Sequence, residues 1–156
     1  MTDHSPAPKP VGDDRVWASQ WYRVRPETFE YFELFFESDR LAAVFGDESF
    51  QSLLLRRDGR EREAREIGEQ VADAPAEKLL RGERSFAIEA ESLTRIQLVS
   101  GSLLVKPKLV VETKEETHEF YHHSRSHDVA PLVKLLTPLY ADADVEVSHS
   151  ERGMLL

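Results

Sequence analysis

Residues 28–45, TFEYFELFFESDRLAAVF, constrain the fold more than any other stretch of this chain. Phe32, Leu34 and Phe36 alternate with Glu33, Phe35 and Glu37, the period of two that gives a strand one wholly apolar face. Ser38-Asp39-Arg40 is a polar turn, and Leu41 to Phe45 reads as the return strand. The segment is a β-hairpin, and its aromatic face demands cover from a helix or a second layer of sheet.

The rest of the chain is ordered around that hairpin. Residues 1–14 carry prolines, small polar residues and charge, and are expected as a flexible leader. Trp17 and Trp21, four apart, suit one face of a helical turn or an irregular arm on the core. Residues 47–82 read as a helical insertion. Phe50, Leu53 and Leu54 fall at helical spacing after Asp47, Ala64, Ile67 and Val71 share one side, and Asp73-Ala74-Pro75 starts a short helix ending at Gly82.

Strands resume with Phe86 and Ile88, then Leu93, Ile96 and Leu98 up to a Ser100-Gly101-Ser102 turn. LLVKPKLVVET is expected as a strand with an edge or bulge at Pro107, and a KEET turn leads to a last strand at 118–123. Val129, Leu132, Val133, Leu136 and Leu139 make the stripe of an amphipathic helix, capped near Asp128 and stopped or bent by Pro138. Residues 142–156 are expected as a weakly ordered acidic tail, with a short strand near Val145 to Val147.

Length and composition bound the function. At 156 residues, 40% hydrophobic and 31% charged, the chain suits one globular domain spanning 15–141. It has no cysteine, so disulfides and thiolate chemistry are out and a cytoplasmic setting is expected. Its formal charge of −9 argues against nucleic acid and anionic lipid as partners, and no apolar run is long enough for a membrane span.

One catalytic spelling occurs: His118-Glu119-x-x-His122, with Asp128 where an extended zinc-protease motif has its third ligand and Arg125 where it has glycine. Such a site needs a helix, in which residues four apart lie about 6 Å apart on one face. On a strand the same residues are roughly 13 Å apart and share no ion. KEETHEFYHH has no buried helical stripe, whereas a strand would point Phe120 inward between the two histidines, with Glu119, Tyr121 and His123 opposite. The strand reading prevails, so no catalytic residue, metal ligand or cofactor is assigned. His122, His123 and His127 are read as a polar strand end whose alternative roles are a divalent ion or a pH response.

Two basic pairs remain as candidate binding residues. Arg56 and Arg57 precede Arg60, Arg62 and Arg65, yet Asp58, Glu61, Glu63, Glu66 and Glu69 interleave with them, as in a self-paired solvated helix face. Lys106 and Lys108 flank Pro107 and point to one side, suiting a phosphate or headgroup contact or the lysine protection of an edge strand.

Residues 83–141 resemble the second half of a pleckstrin-homology-like domain. The resemblance is carried by Ile88, Leu93, Ile96 and Leu98, by the hairpin after them and by the DVAPLVKLLTPLY helix. FFESDRLAAVFG is similar to the opening of such domains. The resemblance implies an α+β fold: a strongly bent antiparallel sheet, or split barrel, with one C-terminal helix over an open end and here a helical insertion. It implies a scaffold that binds proteins, peptides or lipids, or self-associates. The lipid-binding members rely on a basic loop where this chain has Glu37, Ser38, Asp39 and Arg40. The expectation is therefore a non-enzymatic interaction module with a protein partner or self-association through a strand edge. The alternative is a small zinc hydrolase built on His118, Glu119, His122 and Asp128.

Overall fold

The computed structural model describes residues 6–50, 60–80 and 84–151. The described residues form an α+β fold with a mixed, mostly antiparallel sheet of nine strands: β1 (Lys9–Pro10), β2 (Arg15–Val24), β3 (Thr28–Glu37), β4 (Arg40–Phe50), β5 (Phe86–Glu89), β6 (Leu93–Val99), β7 (Lys108–Thr113), β8 (Thr117–His122) and β9 (Glu146–Ser150). The helices are α1 (Arg60–Val71), α2 (Ala76–Leu79) and α3 (Ala130–Leu139). Spatial order is β5-β4-β3-β2-β8-β7-β6-β9, with β1 beside the start of β2. Every pair is antiparallel except β6 with β9. Phe86 of β5 nonetheless stacks on His118 of β8, 5.6 Å between ring centres. Four strand spacings in a flat sheet are about 19 Å, so the sheet curls on itself.

The main core fills the concave face. Phe32, Leu34 and Phe36 meet Leu41, Ile96, Leu98, Leu109 and Phe120, and Leu132, Leu136 and Tyr140 of the α3 segment close it. Each fully buried Leu or Phe there contributes about 1.5–3 kcal/mol. The amphipathic stripe of α3 is as expected, and Pro138 sits one residue before the helix ends.

The convex face departs from expectation. Glu33, Phe35 and Glu37, opposite the apolar face of β3, are buried too, because α1 lies across β2, β3 and β4. Ala64 and Gly68, one helical turn apart, let it approach closely. Ala64 rests against Gly46, the extra residue of a bulge in β4. A Cβ on Gly68 would lie 2.8 Å from Glu33 Oε1 and 2.9 Å from the Trp17 ring.

A second bulge decides what α1 covers. Ser19 and Gln20 together oppose Glu33, since Ala18 pairs with Leu34 and Trp21 with Phe32. Gln20 takes the left-handed φ of +69°. In a regular strand Trp17 and Trp21 would share a face; the extra residue reverses parity and sends Trp17 under α1 and Trp21 into the main core. Neither the helical turn nor the irregular arm expected at the two tryptophans forms. Glu33 fills the place opposite the bulge, accepting bonds from the Gln20 amide (3.0 Å) and Trp17 Nε1 (2.8 Å).

Glu37 holds the helical segment to the sheet. Arg15 donates to Glu37 and to the carbonyls of Ala72 and Ala74, 2.7 Å each. Arg40 donates to Glu37 and to the Ala76 carbonyl. Glu30 is bound by Arg23 and Arg25. Burial pushes its carboxyl up, but the two guanidiniums outweigh that and hold it below the ordinary range.

Other expectations are corrected. Residues 47–50 continue β4, so the insertion does not begin as a helix at Asp47; Leu53, Leu54, Arg56 and Arg57 lie outside the described residues. Strand β7 starts only at Lys108, which leaves Lys106 in the loop before it, and β6 and β8 flank β7, so neither lysine guards an edge. Lys9 and Pro10, in the expected leader, pair with Trp17 and Val16, while Glu146–Ser150, in the expected tail, runs parallel to β6. No described helix is long and apolar enough to cross a membrane.

Glu33 makes stability depend on pH. Burial raises its carboxyl to about 7 from the ordinary 4.5, against the pull of the groups that bind or face it. Between those values the folded chain holds a proton that the unfolded chain has released, so stability falls as pH rises from about 4.5 to about 7 and is level above. Chemical denaturation should show a loss on the order of 3 kcal/mol across that window. The slope should vanish in Glu33→Gln.

Candidate functional site

Two loops meet at one end of the sheet. Residues 100–107 join β6 to β7, and residues 123–129 join β8 to α3. The first replaces the strand expected from Leu103 onward. Its tip is a tight turn: Ser102 N–H donates to the Val105 carbonyl at 2.8 Å. The Ser102 hydroxyl accepts from the Leu104 and Val105 amides at 3.2 and 3.1 Å. Pro107, with no N–H, offers its carbonyl to His122 N. Leu103 and Leu104 stand at the tip, 92% and 81% exposed. A Cβ on Gly101 would lie 2.7 Å from the Arg125 carbonyl and 2.8 Å from the Pro107 ring, so the two loops are in close contact.

The second loop is built on histidine. His122 Nδ1 accepts the Ser124 amide at 2.9 Å. The His122 and His127 rings stack at 3.7 Å, 6° from parallel, and the Trp21 ring stands perpendicular to both. Asp128 accepts the Ala130 N–H at 3.0 Å at the entry to α3. Between the loops lies an open cleft of about 750 Å³, walled by Ser100 to Leu103 and Ser124 to Asp128. A smaller apolar cleft runs between the first turn of α3 and β9, lined by Ala130, Pro131, Val133 and His149 among others.

The strand expected at His118 to His122 forms, with the two histidines and Phe120 on the inner face. The motif residues then go separate ways. His118 lies under Phe86 and bonds Glu116 at 3.0 Å; His122 is against Trp21 and His127. Glu119 points outward to Lys108 at 3.3 Å. Four residues of extended chain separate the imidazoles by roughly 13 Å. Among the described residues no group of three or more His, Asp or Glu side chains converges where a metal ion could sit. His123 leaves the pair altogether and faces Glu61 of α1 at 3.5 Å.

Lys106 and Lys108 do share one side, as the sequence implies. Lys106 lies over the Tyr22 ring at 5.0 Å and Lys108 over Tyr121 at 5.8 Å; the two tyrosines are 5.9 Å apart. Both amines are therefore occupied by aromatic faces or a carboxylate. The leucine tip escaped the sequence reading, although Ser102 and Pro107, a turn-former and a residue without N–H on either side of the leucines, were a legible signal.

The close contact at Gly101 gives a measurable expectation. Gly101→Ala should cost about 1–3 kcal/mol, because the obstacles are backbone and a proline ring. Trypsin should then cut after Arg125 faster than in the native chain. Unchanged cleavage and melting temperature would contradict the rigid seating of the two loops. Compared with known proteins, the chain matches no family model and no curated protein sequence.

Proposed function

We propose that the chain is a non-enzymatic, pleckstrin-homology-like interaction module that takes a protein partner at the 100–107 loop, in the cytoplasm. The observation that carries this reading is the display of Leu103 and Leu104 on a turn closed by Ser102, at an exposure that leaves both side chains nearly bare. Adjacent exposed leucines on an ordered turn are unfavourable in water and favourable in an apolar pocket. The curled, mostly antiparallel sheet with α3 packed over its core supports the fold side of the reading, as does the absence of cysteine for the compartment.

Charge supports a protein over an anionic membrane. The chain carries −9 overall, and the β3–β4 turn holds Asp39. The matching surface is an apolar pocket for two leucines.

A photo-crosslinker at Ser126, exposed across the cleft from Leu103, should yield one defined protein adduct in the native cell. Leu103→Ser with Leu104→Ser should lose it while keeping the native circular dichroism. Burial of two leucines is worth about 3–6 kcal/mol, so affinity for the recovered protein should fall at least about a hundredfold. Adducts that survive the double substitution, or transfer to anionic vesicles with no protein adduct, would sink the reading.

A further inference from the structure

We infer that two copies of this chain join edge to edge through β9, antiparallel, with Ser148 on the two-fold axis. The pairing goes beyond the partner site on the 100–107 loop and does not depend on it.

β9 is the last strand in the sheet: β6 lies on one side, and no described strand pairs on the other. Its orientation can be read from one bond. Ser150 offers its carbonyl to Ser100 N at 2.9 Å, so residues 146, 148 and 150 turn their backbone groups towards β6. Val147 and His149 therefore turn theirs outward, two N–H and two C=O groups in a row. The strand has no proline, no lysine and no bulge to blunt that edge, and its one carboxylate is Glu146 at its start. The opposite edge differs, since β5 is only four residues long.

The sequence EVSHS fits its own copy. With Ser148 on the axis, Val147 meets His149 of the second copy and His149 meets Val147, each a mutually hydrogen-bonded pair, four bonds in all. Glu146, the one carboxylate of β9, then stands opposite Ser150 and never opposite itself. Any slip of the register leaves residues of the five-residue strand unpaired. Five residues cover far less than the area a stable interface buries, and the apolar cleft between α3 and β9 supplies more. An axis perpendicular to the sheet brings both α3 helices to the same face, so each cleft lined by Pro131, Val133 and His149 flanks the junction.

The register predicts opposite effects from one position. Light scattering of the full chain across micromolar to high micromolar concentration should show a monomer–dimer equilibrium. Ser150→Lys faces Glu146 of the second copy twice and should tighten the dimer about 2- to 30-fold; Ser150→Glu should weaken it by a similar factor. Leu103→Ser with Leu104→Ser should leave the dimer constant unmoved, which separates this inference from the loop reading. A native chain that stays monomeric throughout, or Ser150 variants that shift the equilibrium in the same direction or not at all, would overturn it.

Discussion

A single extra residue in β2 organises the convex side of the molecule. Ser19 and Gln20 occupy the space opposite one residue of β3, and that residue is Glu33. The bulge frees the Gln20 amide from the ladder, and the Glu33 carboxylate takes it, together with the indole N–H of Trp17. A buried carboxylate without donors would be too costly to keep. A bulge amide without an acceptor would be costly as well. Each stabilises what the other leaves unsatisfied, and the parity reversal that follows provides a tryptophan for each face of the sheet.

The helical segment is seated on this arrangement by shape and by charge. Gly68 has no side chain where Glu33 and Trp17 rise, and Ala64 is small enough to pass Gly46. Arg65 lies over the Trp17 ring at 4.5 Å, and Arg15 and Arg40 reach from the sheet to carbonyls just beyond α1 while sharing Glu37. These guanidiniums are largely buried, as is Glu37, so their geometry is less screened than that of a surface pair. The result is a sheet buried on both faces in its β2–β3–β4 region and covered on only one elsewhere.

How far the sequence revealed this depends on whether the deciding physics is local. The β3–β4 hairpin, the strand character of His118 to His122 and the stripe of α3 follow from side-chain period, and all three are found. The reversal at Gln20 could not be read, because a bulge is a backbone event and here no glycine marks it. Burial of Glu33 and Glu37 was hidden for a related reason: alternation with acidic residues ordinarily means solvent, and only the placement of α1 turns it into a second core. Leu103 and Leu104 looked like strand because apolar residues surround them, yet the Ser102 hydroxyl satisfies the amides that a strand would have paired. At the candidate site, the histidine motif lies on extended backbone that holds its imidazoles apart, while the leucine tip is marked in the sequence only by Ser102 and Pro107 on either side of it.

The parallel seating of β9 has a consequence for how the chain is made. Arg95 pairs with Glu146 and Val99 with Ser150, so β6 waits for a neighbour that the ribosome delivers some fifty residues later. Until α3 has crossed over and delivered β9, the side of β6 away from β7 remains a bare ladder of amides and carbonyls. The nascent protein thus passes through a stage in which its interior strand is an outer one, and any chaperone that shields extended backbone has a defined place to act.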